Sequence, residues 1–366
     1  MINLLIVGLY RGKGARGGVV NYINLLMKHI DKDNFNTHYF SLGKSPNWYH
    51  GKNRISKMEY RLSHLVKFLS FVRFLKLNNI DTVHINSGLT RKSLFRDGIL
   101  SFFAKLSDCR VLFFIHGWKD PEFDAILNSS ISKKLIINLF NNQDAISVLA
   151  TPFRDKLLKL GINPKKVIIT LPMVETHNYF PKDKKSKRPF KALFCANMVR
   201  EKGPYQLLSA IPKVLEKFPE TLFIFIGQGR DFEGLVRKTT EMRLDKNVFF
   251  SGYISLKAKT KIFKYSNVFV HPTFYGEGLP VVLLEAMAAQ MPVISTPKAS
   301  IVDIIDNYKQ GFLLQSIPPD SDEIANKIIN LFEDPVLMNN IGENNIRKAI
   351  EEYDVSIVST QISKIY

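Results

Sequence analysis

The stretch Thr273–Leu314, TFYGEGLPVVLLEAMAAQMPVISTPKASIVDIIDNYKQGFLL, decides how the fold of this chain is interpreted. A glycine-rich loop around Glu277 leads through Pro280 into an apolar run of helical period. Proline suits the first turn of a helix, where its missing N–H would have no partner. The pattern therefore predicts a helix over residues 281–290, which Met291-Pro292 ends before a short buried strand.

The loop and the start of this helix predict a ligand site. Gly276 and Gly278 allow a tight loop and a close approach of a ligand to the backbone. The free N–H groups and the positive dipole end of a helix N-terminus attract an anion. Glu277 and Glu285 would repel a phosphate, but their carboxylates suit hydroxyl groups. A phosphate beside hydroxyl-rich groups describes a nucleotide sugar.

The stretch resembles the donor-binding segment of the retaining glycosyltransferases of family 4, which have the GT-B fold and carry two glutamates at this spacing. The resemblance implies that Glu277 contacts the donor sugar and that Glu285 hydrogen-bonds the ribose. It also places the backbone amides near Gly278 and Leu279 at the diphosphate. The alternative for an isolated pair of glutamates is a solvated turn residue and an exposed helix position. The complete strand–loop–helix–strand unit favours the binding interpretation.

The chain departs from the family pattern at two places in this stretch. Gln290 stands where a small glycine is usual. Ala299 and Ser300 replace a glycine pair before the acidic Asp303. Both changes bear on how the donor fits around the loop.

A second segment, FCANMVREKGPYQLL at residues 194–208, resembles the first strand and loop of the family's donor domain. The resemblance implies that Lys202 neutralises the donor diphosphate. Asn197 stands where the family has an arginine, and an amide lacks the charge and the two-pronged contact of a guanidinium. Arg200, or Arg11 from the first half of the chain, is the candidate replacement.

In the first half, Gly17 and Gly18 lie in the loop RGKGARGGVV after the first predicted strand. The glycines also fit the form G-x-G-x-x-G, which alone is a weak sign of a dinucleotide site. No acidic residue ends the second predicted strand, 37–42, so NAD is excluded. The family resemblance implies instead that this glycine pair lies near the donor diphosphate and the acceptor.

His116 follows a predicted buried strand in FFIHGW. His116 is either an ordinary loop residue, a core imidazole, or the counterpart of the histidine that faces the transferred sugar in the family. The resemblance favours the last of these roles. Trp118 would either stack on a sugar or pack in the core.

Alternating strands and helices in both halves predict an α/β protein of GT-B type, with two Rossmann-like doubly wound domains facing a cleft. We expect an acceptor-binding domain over 1–181 and a nucleotide-sugar-binding domain over 182–345. The hydrophilic residues 182–189 mark the boundary. The last predicted helix begins at Pro335, and residues 346–366 are expected to cross back to the first domain.

The net charge of +18 is unevenly distributed: residues 1–180 have 26 Lys and Arg against 12 Asp and Glu. This asymmetry predicts an extended anionic partner, either nucleic acid or a membrane. No nucleic-acid motif is recognisable. The segments 58–77 and 89–105 combine cations with apolar residues, which favours an anionic membrane surface unless the apolar sides form the core.

We expect a cytoplasmic protein, peripheral on the inner face of the cell membrane, because no apolar run is long enough to span a bilayer and the two cysteines have no metal-like or disulfide pattern.

These features predict a metal-independent, retaining hexosyltransferase without a cofactor, active in polysaccharide or glycoconjugate biosynthesis. Its donor would be a UDP-sugar, or less favourably a GDP-sugar, and its acceptor a saccharide or lipid-linked saccharide. Two alternatives stay open. They are a non-catalytic nucleotide-sugar- or polysaccharide-binding subunit and a nucleotide-sugar epimerase of the same fold.

Overall fold

The structure, a computed structural model, describes residues 1–8, 18–42, 57–118, 120–181, 189–274, 278 and 280–366. The chain divides into two units. Unit 1 comprises Met1–Pro172 and Val355–Tyr366, and unit 2 comprises Met173–Asp354. Within the described residues each unit has a six-stranded sheet whose strands all pair in parallel. The predicted α/β class with two doubly wound domains is thus confirmed.

The sheet of unit 1 has the strand order β2-β1-β3-β4-β5-β6, with helices between most strands. Its elements are β1 Ile2–Gly8, α1 Gly18–His29, β2 Phe35–Ser41, α2 Lys57–Leu77, β3 Thr82–Ser87, α3 Arg91–Leu106, β4 Arg110–Ile115, α4 Asp120–Leu127, α5 Ser130–Asn141, β5 Ala145–Val148, α6 Thr151–Lys159, β6 Val167–Ile169 and, from the end of the chain, α13 Val355–Ser363.

The central strands of unit 1 are covered on both faces, so β4 is a nearly continuous apolar run and β3 buries polar as well as apolar residues. Every residue of β3 is buried, as are Val111–Ile115 of β4. Parallel strands end at one edge of the sheet, which brings the ends of β1, β3 and β4 together.

The sheet of unit 2 has the order β12-β11-β10-β7-β8-β9. Its elements are β7 Lys191–Cys195, α7 Pro204–Lys217, β8 Leu222–Ile226, α8 Phe232–Glu241, β9 Val248–Gly252, α9 Leu256–Lys264, β10 Val268–His271, α10 Val281–Ala288, β11 Val293–Ser295, β12 Gly311–Leu313, α11 Ser321–Glu333 and α12 Pro335–Tyr353. Helix α10 begins after Pro280, as predicted. It ends before Gln290, whose φ of 56° is left-handed, the conformation that suits the glycine expected there.

The chain passes from unit 1 to unit 2 between Pro172 and Met173, earlier than the predicted boundary after Pro181. The reason is that residues after Met173 bond within unit 2. The N–H of Val174 donates to Tyr353 O at 3.0 Å. The hydroxyl of Thr176 donates to Asp354 Oδ2 at 2.5 Å.

The helix predicted from Pro335 to about Tyr366 is two helices, α12 and α13. Asp354 separates them with an extended backbone (φ −62°, ψ 141°) while its carboxylate accepts the Thr176 hydrogen bonds. The break falls where the chain leaves unit 2, and α13 packs against α1 of unit 1. The segment grouped with unit 1 therefore begins at Val355 rather than at the predicted residue 346.

Candidate functional site

The loop that carries Lys202 packs against the residues that lead into the glutamate loop. A 3-10 turn, Arg200–Lys202, ends at Gly203, whose φ is 80°. A Cβ at Gly203 would lie 2.1 Å from the carbonyl oxygen of Pro272. The N–H of Phe274 donates to Glu201 O at 2.9 Å. The two segments that the resemblance assigns to the donor are therefore neighbours within unit 2.

Lys202 is half-buried in this loop, and burial lowers its pKa from the ordinary 10.5 to about 8. His271, at the end of β10, is fully buried, and burial together with the charge of Lys202 lowers its pKa to about 3. Positive charge is thus costly here while no anion is bound. An arriving diphosphate would offset that cost.

Asn197 and Arg200 both lie at the carboxyl end of β7, and both are exposed. The loop of Asn197 lies against the loop after β8, since a Cβ at Gly229 would lie 2.3 Å from Met198 O. Next to that glycine, Arg230 is bonded to Glu201 at 2.5 Å. The backbone N–H of Arg200 donates to Asp231 Oδ2 at 2.7 Å.

Glu285 lies on α10 and is only 6% exposed. Its Oε1 accepts the hydroxyl of Tyr179 at 2.8 Å, and its Oε2 lies 2.5 Å from Lys259 Nζ. Burial lowers the pKa of Lys259, but the carboxylate outweighs burial and the pKa is raised. The side chain predicted to bind ribose is therefore held on both oxygens by two residues that the sequence analysis did not identify.

These two residues had faint signals in the sequence. Lys259 lies on α9, whose start is marked by Ser255: the hydroxyl accepts the N–H of Ala258 at 3.3 Å, as a helix N-cap does. Tyr179 follows a short 3-10 turn, Thr176–Asn178, in the segment assigned by prediction to the first domain. Neither residue has a motif that would relate it to Glu285.

Ser300, one of the two departures from the glycine pair, bonds directly to the glutamate loop. The residue is fully buried, and its hydroxyl donates to Gly278 O at 2.5 Å. A glycine could not make this bond. The substitution therefore fixes the carbonyl of the predicted diphosphate loop.

His116, half-buried at the end of β4 in unit 1, is hydrogen-bonded to a chain of buried polar groups. Its Nε2 lies 2.6 Å from Asn86 Oδ1, and His84 Nε2 lies 3.2 Å from the same oxygen. Asn86 Nδ2 donates to Val7 O at 2.9 Å, which fixes the orientation of the amide. A carbonyl oxygen only accepts, so both imidazoles donate from Nε2. His84 Nδ1 then accepts the hydroxyl of Tyr366 at 2.5 Å.

This network sets the state of His116. Burial lowers its pKa to about 4, so the ring is neutral near pH 7. Since Nε2 carries the proton, Nδ1 is left as an acceptor. Gly18 begins α1, and one turn later Tyr22 packs edge-on against His116 with ring centroids 4.5 Å apart. Trp118 stacks on Phe153 at 5.4 Å and is a packing residue.

Four of the residues considered as binding groups lie outside the described part of the chain: Glu277, Leu279, Gly17 and Arg11. In the described part, no group of three or more His, Cys, Asp or Glu side chains is arranged to hold a metal ion.

The comparisons with known proteins relate this chain to glycosyltransferases. The family described as "Glycosyl transferases group 1" matches residues 175–348. The uncharacterized glycosyltransferase MJ1069 of Methanocaldococcus jannaschii is 24% identical over 92% of this chain and 93% of its own. The phosphatidyl-myo-inositol mannosyltransferase of Mycobacterium tuberculosis is 30% identical over 45% of this chain and 43% of its own.

The crystal structure of Anabaena Alr3699/HepE in complex with UDP has the same fold. It superposes with a TM-score of 0.77 and 16% identity, over 100% of this chain and 99% of that protein. The two parallel six-stranded sheets are thus those of GT-B proteins. The match over residues 175–348 relates unit 2 to the group 1 glycosyltransferases in sequence, and the superposition relates the whole chain to GT-B proteins in fold.

Proposed function

We propose that this glycosyltransferase moves a hexose from a nucleotide-diphosphate donor to a saccharide or lipid-linked saccharide, with retention of the anomeric configuration. The observation that carries the proposal is the packing of the Lys202 loop against residues 272–274, which begin the glutamate loop. A UDP-sugar is the favoured donor, because HepE was crystallised with UDP and with UDP-glucose. A GDP-sugar is the second choice.

One cationic side chain, that of Lys202, is assigned to the diphosphate leaving group. Lys202 neutralises the diphosphate as the bond from its oxygen to the anomeric carbon breaks. The lowered pKa of Lys202 favours this role. Burial destabilises the protonated amine, and the incoming diphosphate stabilises it again. Arg200 adds charge to the same loop, and Asn197 contributes a neutral amide donor.

The sugar is assigned to Glu277 and His116. The neutral ring of His116 offers Nδ1 as an acceptor for a sugar hydroxyl, because Nε2–H is committed to Asn86. Glu285, near the other end of the donor, accepts the ribose hydroxyls. Gly17, Gly18, Gly278 and Leu279 provide close backbone approach and amides for the diphosphate.

The bond changes follow a front-face course. The acceptor oxygen attacks the anomeric carbon on the side that the diphosphate leaves, and a diphosphate oxygen takes the acceptor's proton. This course needs neither a metal ion nor a cofactor. The acceptor belongs to polysaccharide or glycoconjugate biosynthesis, and a lipid-linked acceptor agrees with the lipid in the name of the mannosyltransferase relative. The enzyme would work at the inner face of the cell membrane, in the cytoplasm.

Melting temperatures with UDP, GDP, ADP and CDP test the donor. A ligand at about a hundred times its dissociation constant stabilises a protein by roughly 2.7 kcal/mol, which is easily visible. We expect a shift with UDP that Lys202→Met reduces strongly, while the exposed control Lys257→Met leaves it unchanged. No shift with any nucleotide would refute the donor site.

A second candidate is a non-catalytic subunit that binds the nucleotide sugar. The observation that favours it is the neutral, exposed side chain of Asn197 where the family has a charged arginine. A melting shift with UDP but no donor hydrolysis and no transfer would support this subunit. Conversion of the donor sugar without any acceptor would instead indicate an epimerase.

A further inference from the structure

Unit 1 exposes an unusual set of large apolar side chains on two neighbouring helices. Phe95, Phe102 and Leu106 lie on one face of α3, at spacings of seven and four residues, and Ile131 and Leu135 lie one turn apart on α5. All five are between 61% and 75% exposed. Single exposed apolar residues are common, but a contiguous set marks an interaction surface.

Between these helices lies an apolar groove, which we call the α3–α5 groove. Its volume is about 660 Å³, and α4 contributes Ile126 to it. Phe95, Phe102 and Leu135 belong to both the groove and the exposed set. Among the described residues that line it, the polar side chains are those of Arg91 and Ser132, and none is acidic.

The surroundings of the groove are cationic. Arg91 and Lys92 are exposed in the first turn of α3, and Lys133 and Lys134 are exposed between the two apolar residues of α5. Arg96 does not add to this charge, since its Nε bonds the buried carboxylate of Asp97 at 2.7 Å. The occupant that matches an apolar groove with a cationic rim is an anionic amphiphile surface.

The other basic helix, α2, does not line this groove. Phe71 and Leu75 are 0% and 2% exposed and belong to the core, whereas Val66, Leu69 and Leu77 are exposed but lie outside the α3–α5 groove. In the ranges that the structure describes, no helix is both long enough and apolar enough to cross a bilayer.

We propose that the α3–α5 groove docks unit 1 on an anionic bilayer. Phe95, Phe102 and Leu135 enter the interface, and the lysines and arginine around them contact lipid phosphates. The benefit of this docking rests on the proposed function, because it would hold the enzyme where a lipid-linked acceptor is found. The binding itself requires neither donor nor acceptor.

Co-sedimentation of the full chain with vesicles tests the proposal. We expect binding to phosphatidylglycerol–phosphatidylcholine vesicles, little binding to phosphatidylcholine alone, and weakening as salt screens the cations. The triple variant F95S/F102S/L135S should lose at least tenfold in partition coefficient. The matched control V336S/L256S/I350S changes three exposed apolar residues of unit 2 and should bind as the parent does.

The charges are tested separately with K92Q/K134Q. Each cation near an anionic surface changes partition by about fivefold, so the loss of two should lower it by roughly twenty-five-fold. Neutral substitution of two exposed lysines of unit 2, K217Q/K257Q, is the control. Melting temperatures first establish that every variant is folded.

Three results would overturn the proposal: equal binding to neutral vesicles, no binding to either kind, or unchanged binding by the triple variant. Conversion of an oligomer to a monomer by the triple variant, without loss of vesicle binding, would reassign the groove to a second copy of the chain. The UDP melting shift is measured on the same proteins. If the parent shows the UDP melting shift but does not bind vesicles, the docking surface alone is refuted. If the parent binds vesicles but shows no UDP melting shift, the donor site alone is refuted.

Discussion

Lys259 Nζ lies 2.5 Å from Glu285 Oε2, at a position where the glutamate is almost inaccessible to solvent. Two opposite charges at this depth gain little over well-packed apolar residues, but removal of one partner leaves the other uncompensated. Tyr179 completes the arrangement by donating to the second oxygen. Lys259 and Tyr179 therefore hold the predicted ribose-binding carboxylate in place.

Replacement of Lys259 by methionine should destabilise unit 2 by about 3–5 kcal/mol, because it leaves the Glu285 carboxylate buried without its cation. Urea unfolding measures the change. Lys257→Met removes an exposed lysine from the same helix and is expected to change stability by no more than about 0.5 kcal/mol. The double variant Lys259→Met with Glu285→Gln should recover part of the loss, and a further loss in the double variant would contradict the pairing.

Tyr366→Phe should destabilise unit 1 by about 1–3 kcal/mol, because it leaves the buried Nδ1 of His84 without a donor. The ring packing against Phe35 is retained, so the change isolates the hydroxyl. Thermal unfolding measures the loss. If His84 takes the other tautomer in response, the hydrogen bonds at Asn86 rearrange, and nitrogen NMR of His116 should report it. An unchanged spectrum with unchanged stability would show that the chain of bonds does not act as a unit.

Much of the fold was predictable because buried parallel strands and amphipathic helices have strong local patterns. The helix after Pro280, the short buried strand after Met291-Pro292 and, within two residues, the strand predicted over 37–42 are found where the sequence places them. Two strands of three residues, β6 and β12, were not predicted, because so short a strand shows no period of its own; β11 is equally short but follows a helix that Met291-Pro292 ends. The contacts divide the chain before Met173, because the residues after it join unit 2 through tertiary bonds that leave no mark in composition.

The parts of the site that lie in local sequence motifs were predictable. The parts that depend on contacts between distant segments of the chain were not. The Lys202 loop and the glutamate loop are each recognisable by themselves. The bond from Tyr179 to Glu285 joins residues 106 positions apart, and the bond from Tyr366 to His84 joins residues 282 positions apart. No periodicity connects such pairs. Ser300 shows the opposite case, because a departure from the expected pattern turns out to bond the loop itself.

The affinity for UDP should fall above pH 8. In the free protein Lys202 has a pKa of about 8, lowered by burial, so below that pH the cation is already present. Above it the protein must take up a proton to bind the diphosphate, and the affinity should fall by up to about tenfold per pH unit. Titration calorimetry between pH 7 and 9 measures both the affinity and the proton uptake, in buffers of different ionisation enthalpy.

Two variants separate Lys202 from other groups in this experiment. Lys202→Arg keeps its charge throughout the range, so its affinity should be nearly independent of pH. Lys202→Met should bind weakly at every pH, also without the decline. A decline above pH 8 that persists in Lys202→Met would assign the titration to another residue.

Acid should destabilise the protein from about pH 6.5 downward. Burial lowers the pKa of His116 to about 4, and burial with the Lys202 charge lowers the pKa of His271 to about 3. Between these values and 6.5 the unfolded chain binds more protons than the folded one, so stability falls as pH falls. Each histidine contributes about 1.4 kcal/mol per pH unit. Urea unfolding at pH 7, 6 and 5 measures the slope, which His271→Phe should reduce and the exposed control His177→Gln should not.

Gly203→Ala should cost several kcal/mol of the stability of unit 2, more than a left-handed backbone alone explains. The residue has a φ of 80°, and a Cβ would lie 2.1 Å from the backbone oxygen of Pro272. Gly252→Ala is the matched control: its φ of 63° is also left-handed, but the Cβ meets Gln228 Nε2, the end of a flexible side chain, at 2.9 Å. The control should therefore lose only the conformational cost of about 1–2 kcal/mol. Because the clash would separate the Lys202 loop from residues 272–274, Gly203→Ala should also weaken the UDP melting shift. Equal losses in the two variants would mean that the loops are not held in contact.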